Sequence, residues 1–200
     1  MWNFTQRVFA LFMTPLLLLS MLAGLLVRCG SLGPTFIGLP RIGKDQVVFH
    51  MYKLRTMKVN AQEALARQLA ESETDRREWE KYGRLANDPR IAGFVAGLAR
   101  RFSVDELPQL INVVCGQMNL VGPRPLPADV ILGMRVEDRM VRQQVFPGLT
   151  GLWQISGRSD LSISSMGRLD RFYVRKRSVK FDLYILLRTF AAVFSAKGAY

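Results

Sequence analysis

An uncharged segment at the N-terminus constrains this chain more than any other feature. Val8 to Val27 comprises twenty residues without a charge, with Arg7 before it and Arg28 after it. A helix of that length is about 30 Å long, which matches the hydrocarbon core of a bilayer. No small-residue cleavage site closes the segment, which argues against a secretory signal. The chain is therefore expected to fold around a membrane helix.

A proline inside this segment leaves two membrane arrangements open. Pro15 removes a helix hydrogen bond and clashes with the carbonyl of Leu11, so the helix should break near Thr14 and Pro15. The Thr14 hydroxyl can bond the freed carbonyl. A broken helix can enter and leave the same leaflet, whereas an unbroken helix would cross the bilayer. In both arrangements the positive-inside rule places the chain after Arg28 in the cytoplasm.

The charge distribution indicates a cytoplasmic body with a basic surface. The chain has 200 residues, of which 28 are basic and 16 acidic, for a net charge of +12. Residues 1–59 hold seven basic and one acidic residue, and residues 91–200 hold fifteen and eight. Such an excess is typical of proteins that bind nucleic acid, anionic lipid or phosphorylated substrates. No recognisable nucleic-acid module accompanies it, and no Cys and His spacing suggests zinc.

The pattern after the membrane segment predicts an α+β, mainly helical body. Turn residues between two β-rich runs predict a hairpin within residues 33–57, with Lys53 and Arg55 alternating onto one strand face. Further helices are predicted at residues 60–81, 91–102, 168–180 and 181–195. The last two are either interfacial amphipathic helices that contact anionic lipid or ordinary core helices with a solvated face.

Two adjacent carboxylates, Asp105 and Glu106, begin a predicted helix and allow two interpretations. Ser103 and Glu106 match a capping box, and Asp105 is an alternative cap that would place Pro108 at N3. The second interpretation is chemical: a carboxylate pair holds a divalent cation and presents an oxygen nucleophile to a phosphate ester. The buried stripe of this helix is predicted to be Val104, Leu107, Leu110, Ile111 and Val114.

Arginines on both sides of the pair favour the chemical interpretation. Arg100 precedes it, and Gly122-Pro123-Arg124-Pro125 follows it. Pro125 pushes Arg124 into an extended conformation, so the guanidinium is held ready for bidentate phosphate binding. A rigid turn with a solvated arginine is the alternative for this tetrapeptide. Helix capping alone explains neither arginine.

Several ordered motifs resemble those of the bacterial sugar transferases, the monotopic polyprenyl-phosphate phosphoglycosyl transferases. They are YKLRTM at 52–57, NDPRI at 87–91, FSVDELPQLINVVCGQMNLVGPRP at 102–125, FPGLTGLWQISGRSD at 146–160 and LDRFYV at 169–174. The resemblance implies a re-entrant membrane helix within residues 1–30 and one catalytic domain over residues 31–200. It also implies a place at the cytoplasmic face of the bacterial inner membrane.

The resemblance further implies a reaction and a set of site residues. Members of this family transfer a phosphosugar from a UDP-sugar to a polyprenyl (undecaprenyl) phosphate and release UMP. The reaction requires Mg²⁺ and is the first membrane step of glycan assembly. Asp105 would be the nucleophile that carries the phosphosugar, and Glu106 would bind Mg²⁺ together with Asp105. The phosphate ligands would be Arg100, Arg124, Arg158, Lys53 and Arg55.

Four departures from the family pattern limit these assignments and keep a second hypothesis open. Thr14 stands where the family commonly has Ser, although its hydroxyl can bond the freed carbonyl in the same way. Leu39 stands where the family usually has Gln, Gln117 where it has Asp, and Phe146 where it has a basic residue. The last two remove a charge near the expected site. The alternative is a membrane-anchored binding or assembly protein that keeps the fold without catalysis. The sequence leaves open which sugar is transferred, the acceptor's chain length, the glycan pathway and whether the chain forms a homo-oligomer.

Overall fold

The computed structural model describes residues 2–28, 33–82, 85, 87–157 and 163–195. These residues are mainly helical and include two small two-stranded sheets, as an α+β, mainly helical body requires. The helices are α1 (Trp2–Met13), α2 (Leu17–Arg28), α3 (Ala61–Glu71), α4 (Glu73–Tyr82), α5 (Phe94–Arg101), α6 (Gln109–Val114), α7 (Ala128–Leu132), α8 (Val136–Arg142), α9 (Leu152–Ile155), α10 (Ile163–Lys176) and α11 (Val179–Ser195). The strands are β1 (Phe36–Ile42), β2 (Val48–Leu54), β3 (Asn119–Val121) and β4 (Gly148–Thr150).

The N-terminal apolar helix is interrupted where the proline predicts. A 3₁₀ turn, Thr14–Leu16, separates α1 from α2. The Thr14 hydroxyl donates a 2.7 Å hydrogen bond to the carbonyl of Leu11, which is the carbonyl that Pro15 deprives of its helix partner. Among the described residues, Trp2–Val27 is the one helical stretch long and apolar enough to cross a membrane, with a mean hydropathy of 2.3.

Both ends of this N-terminal segment pack on the rest of the protein. Near its start, Trp2 Nε1 donates to Asp182 of α11 at 2.6 Å, and Gln6 accepts a hydrogen bond from the backbone N–H of Val121 at 3.1 Å. Near its end, Gly24 lies so close to the hairpin that a Cβ there would be 2.9 Å from Leu54. The helices α1 and α2 are therefore part of the folded body.

The predicted hairpin is confirmed and is attached to α6. β1 and β2 pair antiparallel, from Phe36 opposite Leu54 to Ile42 opposite Val48. The Asn112 side chain of α6 donates to the carbonyl of His50 at 2.8 Å and accepts from the N–H of Tyr52 at 3.0 Å. These two bonds fix the middle of β2 on α6, whose Leu110 and Val113 lie in the main hydrophobic core.

The second sheet holds the Gly-Pro-Arg-Pro segment, residues 122–125, which we name the arginine loop. β3 leads directly into this loop and pairs parallel with β4. The Gly122 N–H donates to the Thr150 carbonyl, and the Gly148 N–H donates to the Pro123 carbonyl, each at 2.9 Å. A Cβ at Gly122 would lie only 2.6 Å from the carbonyl oxygen of Phe146, so the close approach requires glycine.

Several helix boundaries differ from the sequence prediction. The helix expected over residues 60–81 is divided at Ser72, whose hydroxyl accepts a hydrogen bond from the Asp75 N–H at 3.2 Å and so begins α4. The helix expected from residue 91 begins at Phe94. Ile111 was predicted to be buried but is 41% exposed. The helix α6 begins later than expected, and its buried face includes Asn112 and Val113 instead.

Candidate active site

The acidic pair lies in a short turn of its own and not at the start of a longer helix. Val104–Glu106 form a 3₁₀ turn, and α6 begins three residues later, after Pro108. Ser103 has a φ of 56°, and within the described residues its side chain makes no capping hydrogen bond. The predicted capping box is therefore wrong, as is Asp105 as the cap of α6. The carboxylates are directed to cations instead.

Two cations from distant parts of the chain meet the acidic pair. Lys53 of β2 places its Nζ 2.9 Å from an Asp105 oxygen and 3.4 Å from Glu106 Oε1. Arg124 of the arginine loop donates to Glu106 Oε1 at 2.6 Å. The side chains of Asp105 and Glu106 are only 3% and 17% exposed. The structure thus gathers four of the predicted site residues into one cluster of alternating charge.

The two carboxylates have opposite electrostatic environments. Burial raises the pKa of Asp105, Lys53 opposes that rise, and the neighbouring charge of Glu106 adds to it. Burial also acts on Glu106, but Arg124 and Lys53 outweigh it and hold the pKa of Glu106 below its usual range. Glu106 is therefore a permanent anion, whereas Asp105 is the more basic carboxylate and the better electron-pair donor.

The donor chemistry of the acidic pair fits a magnesium ion. The described residues contain no group of three or more His, Cys, Asp or Glu side chains that would form an all-protein metal site. Mg²⁺ is commonly held by one or two carboxylates and completes its coordination with waters and phosphate oxygens. Asp105 and Glu106 supply those two carboxylates, and Lys53 and Arg124 neutralise them in the structure.

The other predicted phosphate ligands are Arg100, Arg55 and Arg158. Arg100 of α5 approaches it: its guanidinium is 3.5 Å from the Thr56 hydroxyl, and its charge lowers the pKa of Asp105. Arg55 is buried with its guanidinium against Gly33, where a Cβ would lie 2.8 Å from Arg55 Cζ. Arg158 lies outside the described residues.

Arg41 lies close to Arg124 and was not predicted as a site residue. An isolated bridge joins Ile42 of β1 to Leu126, which brings Arg41 beside the arginine loop. Burial and the positive charge of Arg124 lower the pKa of Arg41. Within the described residues its buried Nε has no hydrogen-bond partner. The turn Arg41-Ile42-Gly43 was the available sequence signal.

Arg124 is held on its other side by an aromatic ring. Its guanidinium carbon lies 5.8 Å from the ring centroid of Trp153 in α9, a distance at which a cation–π attraction operates. Arg41 lies near enough to Arg124 for the two positive charges to repel each other. An anion bound between them would relieve this repulsion. Together they form a cationic patch beside Glu106.

The residues that depart from the family pattern have structural contacts. The side-chain oxygen of Gln117 accepts a 2.6 Å hydrogen bond from Asn112, the residue that fixes the hairpin on α6. The Phe146 ring lies 5.3 Å from the Lys44 ammonium. Leu39 packs against the main hydrophobic core. Each substituted side chain thus has a packing or hydrogen-bonding partner of its own.

A broken apolar helix packed on a body with a buried carboxylate–cation cluster is the arrangement of a membrane-associated protein. Residues 2–196 match the model of the bacterial sugar transferase family. This chain belongs to that family, as the ordered motifs predict.

Curated relatives agree with this assignment. The chain is 42% identical over 168 residues to the undecaprenyl-phosphate galactose phosphotransferase of Salmonella typhimurium, a match that covers 84% of this chain and 35% of that protein. It is 39% identical over 189 residues to the exopolysaccharide production protein ExoY of Sinorhizobium fredii, covering 94% and 81%. It is 34% identical over 183 residues to the UDP-glucose:undecaprenyl-phosphate glucose-1-phosphate transferase of Escherichia coli, covering 88% and 36%. The chain thus spans about a third of the length of two of these relatives and most of the third.

Proposed function

We propose that this protein transfers a sugar 1-phosphate from a UDP-sugar to a polyprenyl phosphate, releasing UMP, as a membrane step in the assembly of a bacterial polysaccharide. The observation that carries the proposal is the Asp105–Glu106 pair, buried between Lys53 and Arg124. The activities for which these relatives are named support undecaprenyl phosphate as the acceptor and a nucleotide sugar as the donor.

In the first step, an Asp105 oxygen attacks the β-phosphorus of the UDP-sugar. A bond forms between that oxygen and phosphorus, the bond from phosphorus to the bridging oxygen breaks, and UMP leaves with the electron pair. Lys53, 2.9 Å from Asp105, reduces the repulsion between the carboxylate and the incoming anion. The raised pKa of Asp105 suits a carboxylate that attacks phosphorus.

In the second step, a phosphate oxygen of the polyprenyl phosphate attacks the same phosphorus. The bond from phosphorus to Asp105 breaks, the carboxylate is regenerated, and polyprenyl diphosphosugar is formed. The acyl phosphate divides one difficult encounter between two anions into two easier displacements. A single carboxylate thereby serves a soluble donor and a lipid acceptor in turn.

The remaining site residues bind and orient the phosphates. Glu106 and Asp105 would hold Mg²⁺, which when bound neutralises diphosphate oxygens and the leaving group. Arg124 and Arg41 supply bidentate donors for phosphate oxygens on the Glu106 side. Arg100 approaches from the Asp105 side. Arg158 remains a candidate from its motif alone.

The N-terminal helices are proposed to enter and leave one leaflet. Both of their ends contact the body, at Asp182 and at Leu54, whereas a straight crossing would carry one end about 30 Å away from it. Apolar side chains remain exposed along α1 and α2: Phe4, Phe12, Leu18 and Leu25. Leu183, Leu187 and Phe190 are likewise exposed on α11, which supports contact with the membrane interface. The site then faces the cytoplasmic surface of the bacterial inner membrane.

A UMP-release assay tests this proposal. The purified protein is incubated with Mg²⁺, undecaprenyl phosphate and a panel of UDP-sugars, and at least one donor should release UMP. Asp105→Asn should lower the rate by about a thousandfold or more, because the nucleophile is lost. Asp45→Asn, which changes a carboxylate in the exposed hairpin turn, is the matched control and should leave the rate unchanged.

Two results would contradict the proposal: no UMP from any donor, or full activity in Asp105→Asn. Donor binding without UMP release would favour the alternative, a membrane-anchored binding or assembly protein.

A further inference from the structure

The LDRFYV motif, residues 169–174, lies on α10 and supplies no group to the acidic cluster described above. Its Asp170 and Tyr173 are three residues apart, so they share one face of the helix. Both are buried, with 2% and 4% of their surfaces exposed. A carboxylate buried this deeply is costly unless a cation accompanies it. Its partner shows what the motif does.

That partner is Arg142 of α8, which connects Asp170 to the arginine loop. Arg142 Nη2 lies 3.6 Å from an Asp170 oxygen, and the two side chains are 4% and 3% exposed. The same nitrogen donates a hydrogen bond to the backbone carbonyl of Arg124. The other terminal nitrogen, Nη1, donates to the Met134 sulfur at 3.2 Å. A buried guanidinium therefore joins the carboxylate of α10 to the backbone of the proposed phosphate ligand.

The charges around Asp170 show that Arg142 is its counter-ion. The groups that face it are Arg142 and Asp138, both from α8. Arg171 pairs with Asp138 at 3.2 Å, which leaves Asp170 as the counter-charge of Arg142. A buried ion pair of this kind adds little stability but can fix a geometry. The geometry that is fixed here belongs to Arg124, whose guanidinium reaches Glu106.

We propose that Asp170 and Arg142 are positioning residues that hold the arginine loop, so that the Arg124 guanidinium meets Glu106 and the substrate phosphate. The inference rests on the proposed function for the role of Arg124, but the mechanical part stands on the buried contacts alone. Tyr173 lies at the other end of the same segment, with its hydroxyl 3.2 Å from the Val121 carbonyl and 2.7 Å from Asp182. One face of α10 thus reaches the segment that carries Arg124 at two points: directly at Val121 through Tyr173, and at the Arg124 carbonyl through Arg142.

Hydrogen–deuterium exchange tests the mechanical part without substrate. In Asp170→Asn and Arg142→Met, peptides that cover residues 119–126 should exchange severalfold faster than in the wild type, because the loop opens more often. Glu137→Gln is the matched control: it changes a 79% exposed carboxylate that pairs with Arg171, and exchange in these peptides should not change. If Arg142→Met does not fold, Arg142→Lys, which keeps the buried charge, replaces it in the exchange experiment. Unchanged exchange in folded Asp170→Asn would overturn the proposal.

UDP binding and kinetics test the functional part. Asp170→Asn should weaken binding of Mg²⁺–UDP and raise the KM for the UDP-sugar by about tenfold, with a smaller change in kcat, because a phosphate ligand is misplaced. In an Arg124→Ala background, Asp170→Asn should weaken binding no further. An equal loss in both backgrounds, or faster exchange with unchanged binding and KM, would overturn the positioning role. If the wild type neither binds UDP nor releases UMP, the proposed function fails, and the exchange rates alone decide whether the loop is held by Asp170.

Discussion

Asp105 and Glu106 are neighbours in the sequence but have different electrostatic surroundings. Glu106 is paired with Arg124, and its pKa is held below its usual range, so it remains an anion at any physiological pH. The pKa of Asp105 is raised by burial. The pKa values of two identical functional groups are thus displaced in opposite directions, that of Glu106 by its cation partners and that of Asp105 by burial. The sequence predicts the pair and its arginines, but assigning each cation to a carboxylate required the packing of β2 and the arginine loop.

At the same scale, Arg41 provides a test of the cationic patch. Arg41→Ala should weaken binding of Mg²⁺–UDP by about tenfold, because one charge-assisted contact to phosphate is lost. Titration calorimetry with the purified protein measures this. Arg77→Ala is the matched control, since that side chain is 77% exposed and pairs with Glu73 on α4. Equal affinities for Arg41→Ala and the wild type would remove Arg41 from the site.

Asp170 gives a pH dependence of stability with a definite sign. Burial, only partly opposed by Arg142, raises the pKa of Asp170 from 3.8 to about 6. The folded protein therefore keeps this proton to higher pH than the unfolded chain, and the free energy of unfolding falls by about 3 kcal/mol as the pH rises from about 4 to about 6. Asp170→Asn cannot lose a proton, so it lacks this decrease.

Thermal unfolding in one detergent at several pH values checks this prediction. The Tm of Asp170→Asn minus that of the wild type should increase between pH values of about 4 and about 7. Asp45→Asn, at an exposed position, should show a constant difference. A wild type that gains stability over the variant as the pH rises would contradict the prediction.

At the scale of elements, local signals predicted some features well and others poorly. The helix break at Thr14 and the β1–β2 hairpin follow from proline chemistry and turn residues, which act over a few residues. The capping box failed because the Glu106 side chain binds Arg124, eighteen residues away, and not the backbone N–H of Ser103. Tertiary charge pairing overrode a motif that is correct on local grounds.

If Pro15 causes the break in the N-terminal helix, its replacement should change the membrane topology. Pro15→Ala should restore a continuous helix from α1 to α2, which is long enough to cross the bilayer. An epitope placed before residue 1 should be accessible only from the cytoplasm in the wild type and partly from the periplasm in the variant. Protease protection in spheroplasts measures this. Leu16→Ala, one position along, is the control and should keep the wild-type pattern. Equal protection in Pro15→Ala would contradict the re-entrant arrangement.

At the scale of the whole molecule, long-range contacts hold the site together. Arg142 contacts Asp170, twenty-eight residues later in the sequence, and Trp2 contacts Asp182, 180 residues later. No local pattern indicates such contacts, because they arise only once β3, α8 and α10 have packed. The sequence motifs therefore predict the candidate site residues, whereas the long-range contacts around them became evident only from the fold.

The same packing predicts that the N-terminal helices are needed for folding. Ala10 is completely buried in the main core beside Leu110 and Val113, and Gln6 satisfies the N–H of Val121. Deletion of residues 1–30 should expose this surface and abolish cooperative thermal unfolding. The full-length chain in the same detergent is the control. If the truncated protein is soluble and unfolds cooperatively on heating, residues 31–200 fold on their own, which would contradict this prediction.

The covalent intermediate on Asp105 is the most direct test of the central claim. The protein is incubated with Mg²⁺ and a reactive UDP-sugar in the absence of polyprenyl phosphate, quenched rapidly, digested and analysed by mass spectrometry. We predict a phosphosugar adduct on the peptide that contains Asp105, which disappears when undecaprenyl phosphate is added and is absent from Asp105→Asn. UMP release and turnover with no adduct on Asp105, or an adduct on another residue, would contradict the account.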